Sequence, residues 1–329
     1  MALCIGKSPG LGRDWRLELA KALRSFGDIE RVFPLQPQEK SKIKAVCKRY
    51  PPFITPFFLS LMDRQNANDP IRLQAVPSVH ELTPGLEDPL AEKIFSPFPQ
   101  AVHRYPNRLL LVTTNLCGIH CRYCFRKRNW GKPPFFFSHW EELEAYLYNH
   151  SEINDLLVSG GDPLLMPVAA LERILSLARR AKMKVIRLGT RIPVVLPYRI
   201  DDALLRLLEP YAPLWICLHV NHPRELTDEL GRAVEALSKV GCSVVSQTVL
   251  LRGVNNNPET LAQLFMGLLS MGVKPYYLFQ CDPAPGTEHF RVPVEEGRNL
   301  MKTLWGRISG LAYPHYAMDL PGGGGKVLL

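Results

Sequence analysis

Three cysteines crowd the stretch LLLVTTNLCGIHCRYCFRKR, residues 109–128, at positions 117, 121 and 124. The spacing is C-x3-C-x2-C, with Tyr123 just before the last cysteine and Phe125 just after it. Thiolates are soft ligands that suit iron–sulfur clusters and zinc. Cys117, Cys121 and Cys124 can hold three irons of a four-iron, four-sulfur cube and leave the fourth iron open to a substrate or cofactor. A zinc knuckle is the competing use of the same residues. Structural zinc takes four ligands, however, and His120, between two of the cysteines, has little room to turn onto the same metal. Other residues with chemical potential are scattered along the chain. Gly160-Gly161-Asp162 lets backbone approach a ligand closely, and by itself is also an ordinary tight turn. Gln247 alone reads as a capping side chain. Lys326 follows four glycines at 322–325. A lysine so presented can form an imine with a carbonyl cofactor, whereas a Gly-rich run near a C-terminus is equally a disordered tail. Arg104, Arg108 and Arg126 offer cations, although isolated arginines are mostly solvated. Asp282 precedes Pro283, which is a turn signature.

These groups need elements to position them. Apolar spacing predicts helices over 15–23 (WRLELAKAL), 39–47 and, after Pro51, Pro52 and Pro56, over 57–62. From Asp69 the run DPIRLQAVPSVHELTPGLEDPLAE is rich in proline and acid and has little period. It predicts an extended arm lying on the main domain, and by composition alone it reads equally as a loose linker. From Leu109 the pattern alternates. Strands are expected up to Thr113 and over 155–159, 184–188, 214–219, 243–250 and 274–279. Helices are expected over 140–148, 168–181, 201–208, 225–240, 258–271 and 294–308. Six strand–helix units imply a parallel sheet with crossover helices. No dinucleotide glycine fingerprint follows the first strand, so an incomplete barrel is preferred to a doubly wound sheet. The unusual residues then fall at strand C-terminal ends, where a barrel gathers function: the cysteines, Gly-Gly-Asp, Thr190-Arg191, His219, Gln247 and Asp282. The chain divides into an N-terminal helical region (1–68), an arm leading to the core (69–108), the barrel (109–311) and a glycine-rich C-terminal segment (312–329).

The bulk numbers narrow the class. The chain has 329 residues, eight cysteines at irregular spacing and a net charge of +9. Irregular cysteines in a chain of this size argue for a reduced, cytoplasmic protein over a disulfide framework. No run of eighteen apolar residues occurs, and the N-terminal MALCIGKSPG lacks the basic-then-apolar order of a signal peptide. The mild positive charge fits an ordinary basic surface with pockets for anionic cofactors, and no nucleic-acid or membrane partner is expected.

The cysteine spacing and its aromatic neighbours resemble the radical S-adenosylmethionine enzymes. A wider set of motifs resembles the lysine 2,3-aminomutase family within them, from about Asp69 to Lys326. These are HRYPNR (103–108), SGGDPL (159–164), RLGTRIPVVLPYRI (187–200), HVNHP (219–223), SQTVLLRGVN (246–255), YYLFQCD (276–282), GTEHFR (286–291) and DLPGGGGK (319–326). The resemblance implies a radical SAM partial (β/α)6 TIM-like barrel of the α/β class with an N-terminal helical extension. It also implies three cofactors: a [4Fe-4S] cluster, S-adenosyl-L-methionine and pyridoxal 5'-phosphate. Cys117, Cys121 and Cys124 would hold the cluster, and Gly160, Gly161, Asp162 and Gln247 would meet S-adenosylmethionine. Lys326 would hold pyridoxal phosphate as an imine, with Arg104, Tyr105 and Arg108 around it. Arg126 would pair with the substrate carboxylate, and Asp282 and Asp319 with the distal ammonium of L-lysine. The implied reaction is radical 2,3-migration of the amino group, giving β-lysine, with a flavodoxin or ferredoxin as electron donor.

Two departures from the family qualify this. The longer members continue past the cofactor lysine into a tail whose cysteines bind zinc, whereas this sequence stops three residues after Lys326, and Asn257 stands where their remaining zinc cysteine lies. No zinc site is therefore expected, and a homodimer is expected in place of a larger assembly. The short chain also resembles the aminomutase that makes (R)-β-lysine for elongation factor P, although the intact DLPGGGGK favours the general lysine 2,3-aminomutase. A radical enzyme acting on another amino acid or on RNA is the alternative from a different class. It would leave Lys326 unexplained.

Overall fold

A computed structural model of the chain describes residues 14–329. The N-terminal MALCIGKSPG, read above for a signal-peptide pattern, lies outside the described residues. Among the described residues, nine strands form one sheet whose order follows the chain. They are β1 (Ala101–Tyr105), β2 (Arg108–Val112), β3 (Asp155–Ser159), β4 (Val185–Thr190), β5 (Leu214–His219), β6 (Cys242–Leu250), β7 (Lys274–Gln280), β8 (His315–Leu320) and β9 (Gly325–Leu328). Strands β2 to β8 are parallel neighbours, while the outermost pairs β1–β2 and β8–β9 are antiparallel. A doubly wound sheet would reverse its order at a switch point. This one never does, so it curls in one direction into the partial (β/α) barrel that the sequence predicts.

Side chains alternate across each strand, and the two sets differ in kind. One set is aliphatic and fully buried under the helices: Leu109 and Leu111, Leu156 and Val158, Ile186 and Leu188. Each such side chain contributes roughly 1.5–3 kcal/mol when removed from water. The other set faces the lumen and includes Ser159, Gly189, Cys217, His219, Gln247 and Phe279, which line a central cavity. Period two therefore delivers a dry outer layer and a chemically equipped inner one from the same strands.

The outer helices are Trp140–Asn149, Val168–Arg180, Asp202–Leu208, Asp228–Lys239, Pro258–Ser270 and Val294–Leu304. The helix expected from 225 starts at Asp228, because Pro223–Glu225 forms a 3-10 turn and Thr227 caps the helix through the Leu230 N–H. That expected from 294 to 308 ends at Leu304. Asn257 caps its helix by accepting from the Thr260 N–H at 2.8 Å. The parallel run has seven strands, one more than the six units counted from sequence, because β8 lies within the glycine-rich C-terminal segment.

The N-terminal helices Trp15–Ala20, Phe26–Val32, Lys40–Arg49 and Pro56–Ser60 share the barrel's core, in which Ile29, Ile54 and Phe58 have no exposure. Ile54 forms isolated β-bridges to Leu23 and to Ile119 in the cysteine loop, and the Thr55 hydroxyl donates to the Val195 carbonyl at 2.6 Å. The helix Phe26–Val32, opened by a Ser25–Asp28 capping box, was not anticipated from sequence.

The arm is an ordered strap and not a loose linker. It contains two short turns, Pro70–Leu73 and Val79–Leu82, and ends in β1. Ion pairs fasten it: Asp69 to Arg224, Glu81 to Arg122 (2.8 Å) and Lys127 (3.1 Å), and Glu92 to Arg126 (2.5 Å) and Arg128 (2.6 Å). The Glu81 cluster is fully buried.

Candidate active site

The cysteine loop leaves the C-terminal end of β2 and closes over the barrel mouth. Cys117, Cys121 and Cys124 all line the cavity. Burial pushes the Cys117 and Cys124 thiols up, Cys124 to about 11, and the neighbouring sulfurs add to the effect. Coordination to a metal ion removes such a proton outright. His120 is turned away from the sulfurs. Its ring stacks on Trp130 (4.2 Å between centroids, 6° between planes), and Nδ1 lies 2.7 Å from the Pro51 carbonyl. Burial holds its pKa down at about 3, so the neutral ring donates to that carbonyl. Among the described residues no group of three or more His, Cys, Asp or Glu converges on one metal ion. Ligands of an iron–sulfur cube bind separate irons and need no such point of convergence, so the donor set fits a cluster.

The Gly-Gly-Asp turn is built against this loop. The Gly161 N–H donates to Thr114 O (2.5 Å) and the Asp162 N–H to Leu116 O (2.7 Å). A Cβ on Gly161 would sit 2.2 Å from Leu116 O, and Gly160 has φ +133°, so the close approach requires both glycines. The Asp162 carboxylate is already engaged. It accepts from the Thr190 hydroxyl (2.8 Å), the Arg191 N–H (2.8 Å) and the Leu164 N–H (3.1 Å). Burial raises its pKa to about 6 against these hydrogen bonds. Gln247 presents to the cavity from β6, paired in register with His219 of β5.

At the opposite wall, the glycine run is the turn of the β8–β9 hairpin, with φ of +72°, +90° and +84° at Gly322, Gly323 and Gly325. Its register pairs Asp319 with Lys326, and cross-strand partners in a sheet have adjacent side chains. Lys326 Nζ accordingly lies 3.4 Å from Asp319 Oδ2, over the rings of Phe279 (3.9 Å) and Tyr277 (4.6 Å). Burial draws the Lys326 pKa down while Asp319 opposes it. The Lys326 N–H donates to the Tyr105 hydroxyl (2.8 Å), and Arg104 Nη1 stands 3.7 Å from Asp319 Oδ1. Arg108 lies over the Tyr105 ring at 4.7 Å. Asp282 is pushed up to about 7, by burial first and by the Asp319 charge second. A half-buried lysine among aromatic rings, with cations and a phenol alongside, fits a carbonyl cofactor that carries an anionic group.

Arg126 reaches the same cavity, but its guanidinium is engaged by Glu92, with Nε and Nη2 at 3.0 and 2.5 Å from one carboxylate oxygen. Arg128 takes the other oxygen at 2.6 Å. Glu92 belongs to the arm, and sequence reading gave it no role. Of the fourteen residues singled out, ten line this cavity of about 280 Å³. The remaining four, Arg104, Tyr105, Arg108 and Lys326, meet one another and Asp319 behind its wall. Reading the sequence missed Glu92 and a polar network around Arg191, Glu225 and Gln74. Thr190-Arg191 had stood out only by falling at a strand end.

A partial barrel with three cysteines in the loop after its first parallel strand, closed by a Gly-Gly-Asp turn, defines a radical S-adenosylmethionine protein. Residues 111–265 match the Radical SAM superfamily. The L-lysine 2,3-aminomutase of Clostridium subterminale is 39% identical over 95% of this chain and 77% of its own length. That of Bacillus subtilis is 40% identical over 96% of this chain and 68% of its own. The glutamate 2,3-aminomutase of Clostridioides difficile is 38% identical over 97% of this chain and 78% of its own. This chain belongs to the lysine 2,3-aminomutase family. It is an enzyme of the isomerase class, and membership carries the family's general dependence on cofactors.

Proposed function

We propose that the chain interconverts L-lysine and β-lysine by moving the amino group between C2 and C3. The observation that carries the substrate is the acid pair Asp282 and Asp319 on one wall of the cavity. Burial first, and the Asp319 charge second, push the Asp282 pKa up to about 7, so a distal ammonium offsets both the desolvation of the carboxylate and a repulsion already present. The side-chain carboxylate of glutamate would add a third negative group to the same place.

Cys117, Cys121 and Cys124 would hold the cluster, with the Gly160-Gly161 backbone and Gln247 toward S-adenosylmethionine and Asp162 supporting the turn from behind. Lys326 would hold pyridoxal phosphate, with Arg104, Tyr105 and Arg108 about it. When bound, these groups supply the hydrogen-abstracting radical and the conjugated carbonyl that carries the migrating nitrogen. The remaining work falls to the chain. Arg126 would take the substrate carboxylate with its planar fork, sharing or releasing Glu92 as it does so. Asp319 would hold the Lys326 proton while that lysine is free and turn to the substrate ammonium once it is not. The barrel and strap would limit water at the reacting carbons.

The assay compares kcat/KM for lysine, arginine, glutamate and alanine in the wild type, Asp282→Asn and Asp319→Asn. Lysine should lead in the wild type and fall at least tenfold, selectively, in each variant. Preferred turnover of glutamate, or wild-type lysine turnover in both variants, would defeat the assignment. We further propose a homodimer working in the cytoplasm with a flavodoxin or ferredoxin. No helix among the described residues is long and apolar enough to cross a membrane.

A further inference from the structure

Against the cysteine loop, on the cavity side, lies a polar network to which the reaction above assigns no task. Arg191, just past the end of β4, is 6% exposed, and Glu225 and Gln74 are not exposed at all. Arg191 Nη1 donates to Cys121 Sγ at 2.8 Å and to the Tyr123 hydroxyl at 2.6 Å. Its Nη2 donates to Gln74 Oε1 at 2.6 Å and Glu225 Oε2 at 3.0 Å. The other Glu225 oxygen accepts from Gln74 Nε2 at 2.9 Å. The Tyr123 hydroxyl also meets Asn221 Nδ2 (2.6 Å) and His219 Nε2 (2.7 Å). Arg191 is aimed from its backbone, since its N–H is held by the Asp162 carboxylate. The Gly-Gly-Asp turn thus sets the backbone end of Arg191, and the arm residue Gln74 helps to set its guanidinium end.

We propose that Arg191 is a positioning residue that holds Cys121 and, balanced by Glu225, sets the reduction potential of the iron–sulfur cluster bound there. The proposal rests on the reading of the three cysteines as cluster ligands. Reduction adds one electron, from a low-potential external donor, to a unit that is already anionic. A cation donating to one of its sulfurs favours the reduced form, and a nearby carboxylate opposes it. No bond or proton of Arg191 changes in that step. In a buried site both effects act with little screening. Glu225 therefore keeps the guanidinium from acting as an uncompensated charge.

The test uses wild-type protein, Arg191→Gln, Arg191→Lys and Glu225→Gln, each reconstituted anaerobically and assayed for iron and sulfide. The midpoint of the cluster is then read by redox titration followed by electron paramagnetic resonance. Arg191→Gln should lower the midpoint enough to cut the reduced-to-oxidised ratio about tenfold at fixed potential, which is about 59 mV for one electron. Arg191→Lys should fall between it and the wild type, and Glu225→Gln should move the midpoint upward. A merely structural role would move Arg191→Gln and Glu225→Gln in the same direction or not at all. Should Arg191→Gln fail to retain iron, Arg191→Lys and Glu225→Gln decide the matter. An unmoved midpoint in loaded Arg191 variants, or a Glu225→Gln midpoint at or below the wild type, overturns the inference alone. Wild-type protein that takes up no iron overturns the cluster reading together with it.

Discussion

Asp282 begins in the unfolded chain with an ordinary pKa of 3.8 and is pushed up to about 7 on folding. Between those values the folded state binds the extra proton, so stability is lost as pH rises through the window. Asp282→Asn removes the penalty. Cofactor-free protein carrying it should be more stable than the wild type above pH 7, by at most ~4 kcal/mol. Urea unfolding at pH 4, 6 and 8 should show that gain growing with pH and nearly absent at pH 4. Lys326 is the second residue with a distinct signature, since burial favours its neutral amine against the pull of Asp319. Borohydride reduction of protein loaded with pyridoxal phosphate, followed by peptide mapping, should place the pyridoxyl group on Lys326. A different lysine as the major product would reassign the hairpin. Cysteine spacing and a glycine-flanked lysine are local signals and were legible in the sequence. Glu92 was not. Its importance comes from meeting Arg126, 34 residues away, and in an acid-rich run nothing sets it apart from its neighbours.

Between residues and fold stand the elements, and here the strap is the informative one. Glu81 has no exposure and compensates two buried cations, Arg122 and Lys127. Both of those belong to the cysteine loop, so this one carboxylate fastens the strap to the loop. Removing one member of a buried ion cluster typically costs 3–5 kcal/mol, because the others are left charged and unpaired. Glu81→Ala should destabilise the protein by about that amount and lower the iron it retains after reconstitution, measured by chemical denaturation and iron assay. Strands β2 to β7 were legible because their apolar runs stand out between helices of period 3.6. The strap was legible only as one of two readings, an arm on the main domain or a loose linker, because the long-range charge pairs that order it leave no local pattern. Strands β1 (AVHRY), β8 (HYAMDL) and β9 (GKVL) were also missed, being short and partly spoken for by motifs. Their backbones do two jobs at once.

On the scale of the whole molecule, the N-terminal helices and the barrel share one core, and the loop that carries the cysteines is wedged between them. Ile54 touches Leu23 on one side and Ile119 on the other. The helical region thus braces the loop from outside the barrel, while Arg191 and Glu225 brace it from within. The sheet runs from residue 101 to 328, across the limits of the segments into which the sequence divides.

The cylinder, finally, is not sealed by its own backbone. Among the described residues β1 and β9 are the two free margins of the sheet, and side chains span the slit between them. Tyr105 of β1 takes the Lys326 N–H of β9, and Arg104 reaches Asp319 of β8. Pyridoxal phosphate held by Lys326, Arg104 and Tyr105 would grip both margins and act as a clasp. Its removal should let the wall breathe there first. Amide hydrogen exchange in 101–105 and 315–328 should slow markedly when pyridoxal phosphate is added, while the central strands β4 and β5 stay unchanged. Equal protection in both regions would mean that the slit is held shut without it. Slowing confined to the margins would mean that vitamin supply bears on the integrity of the enzyme as well as on its turnover.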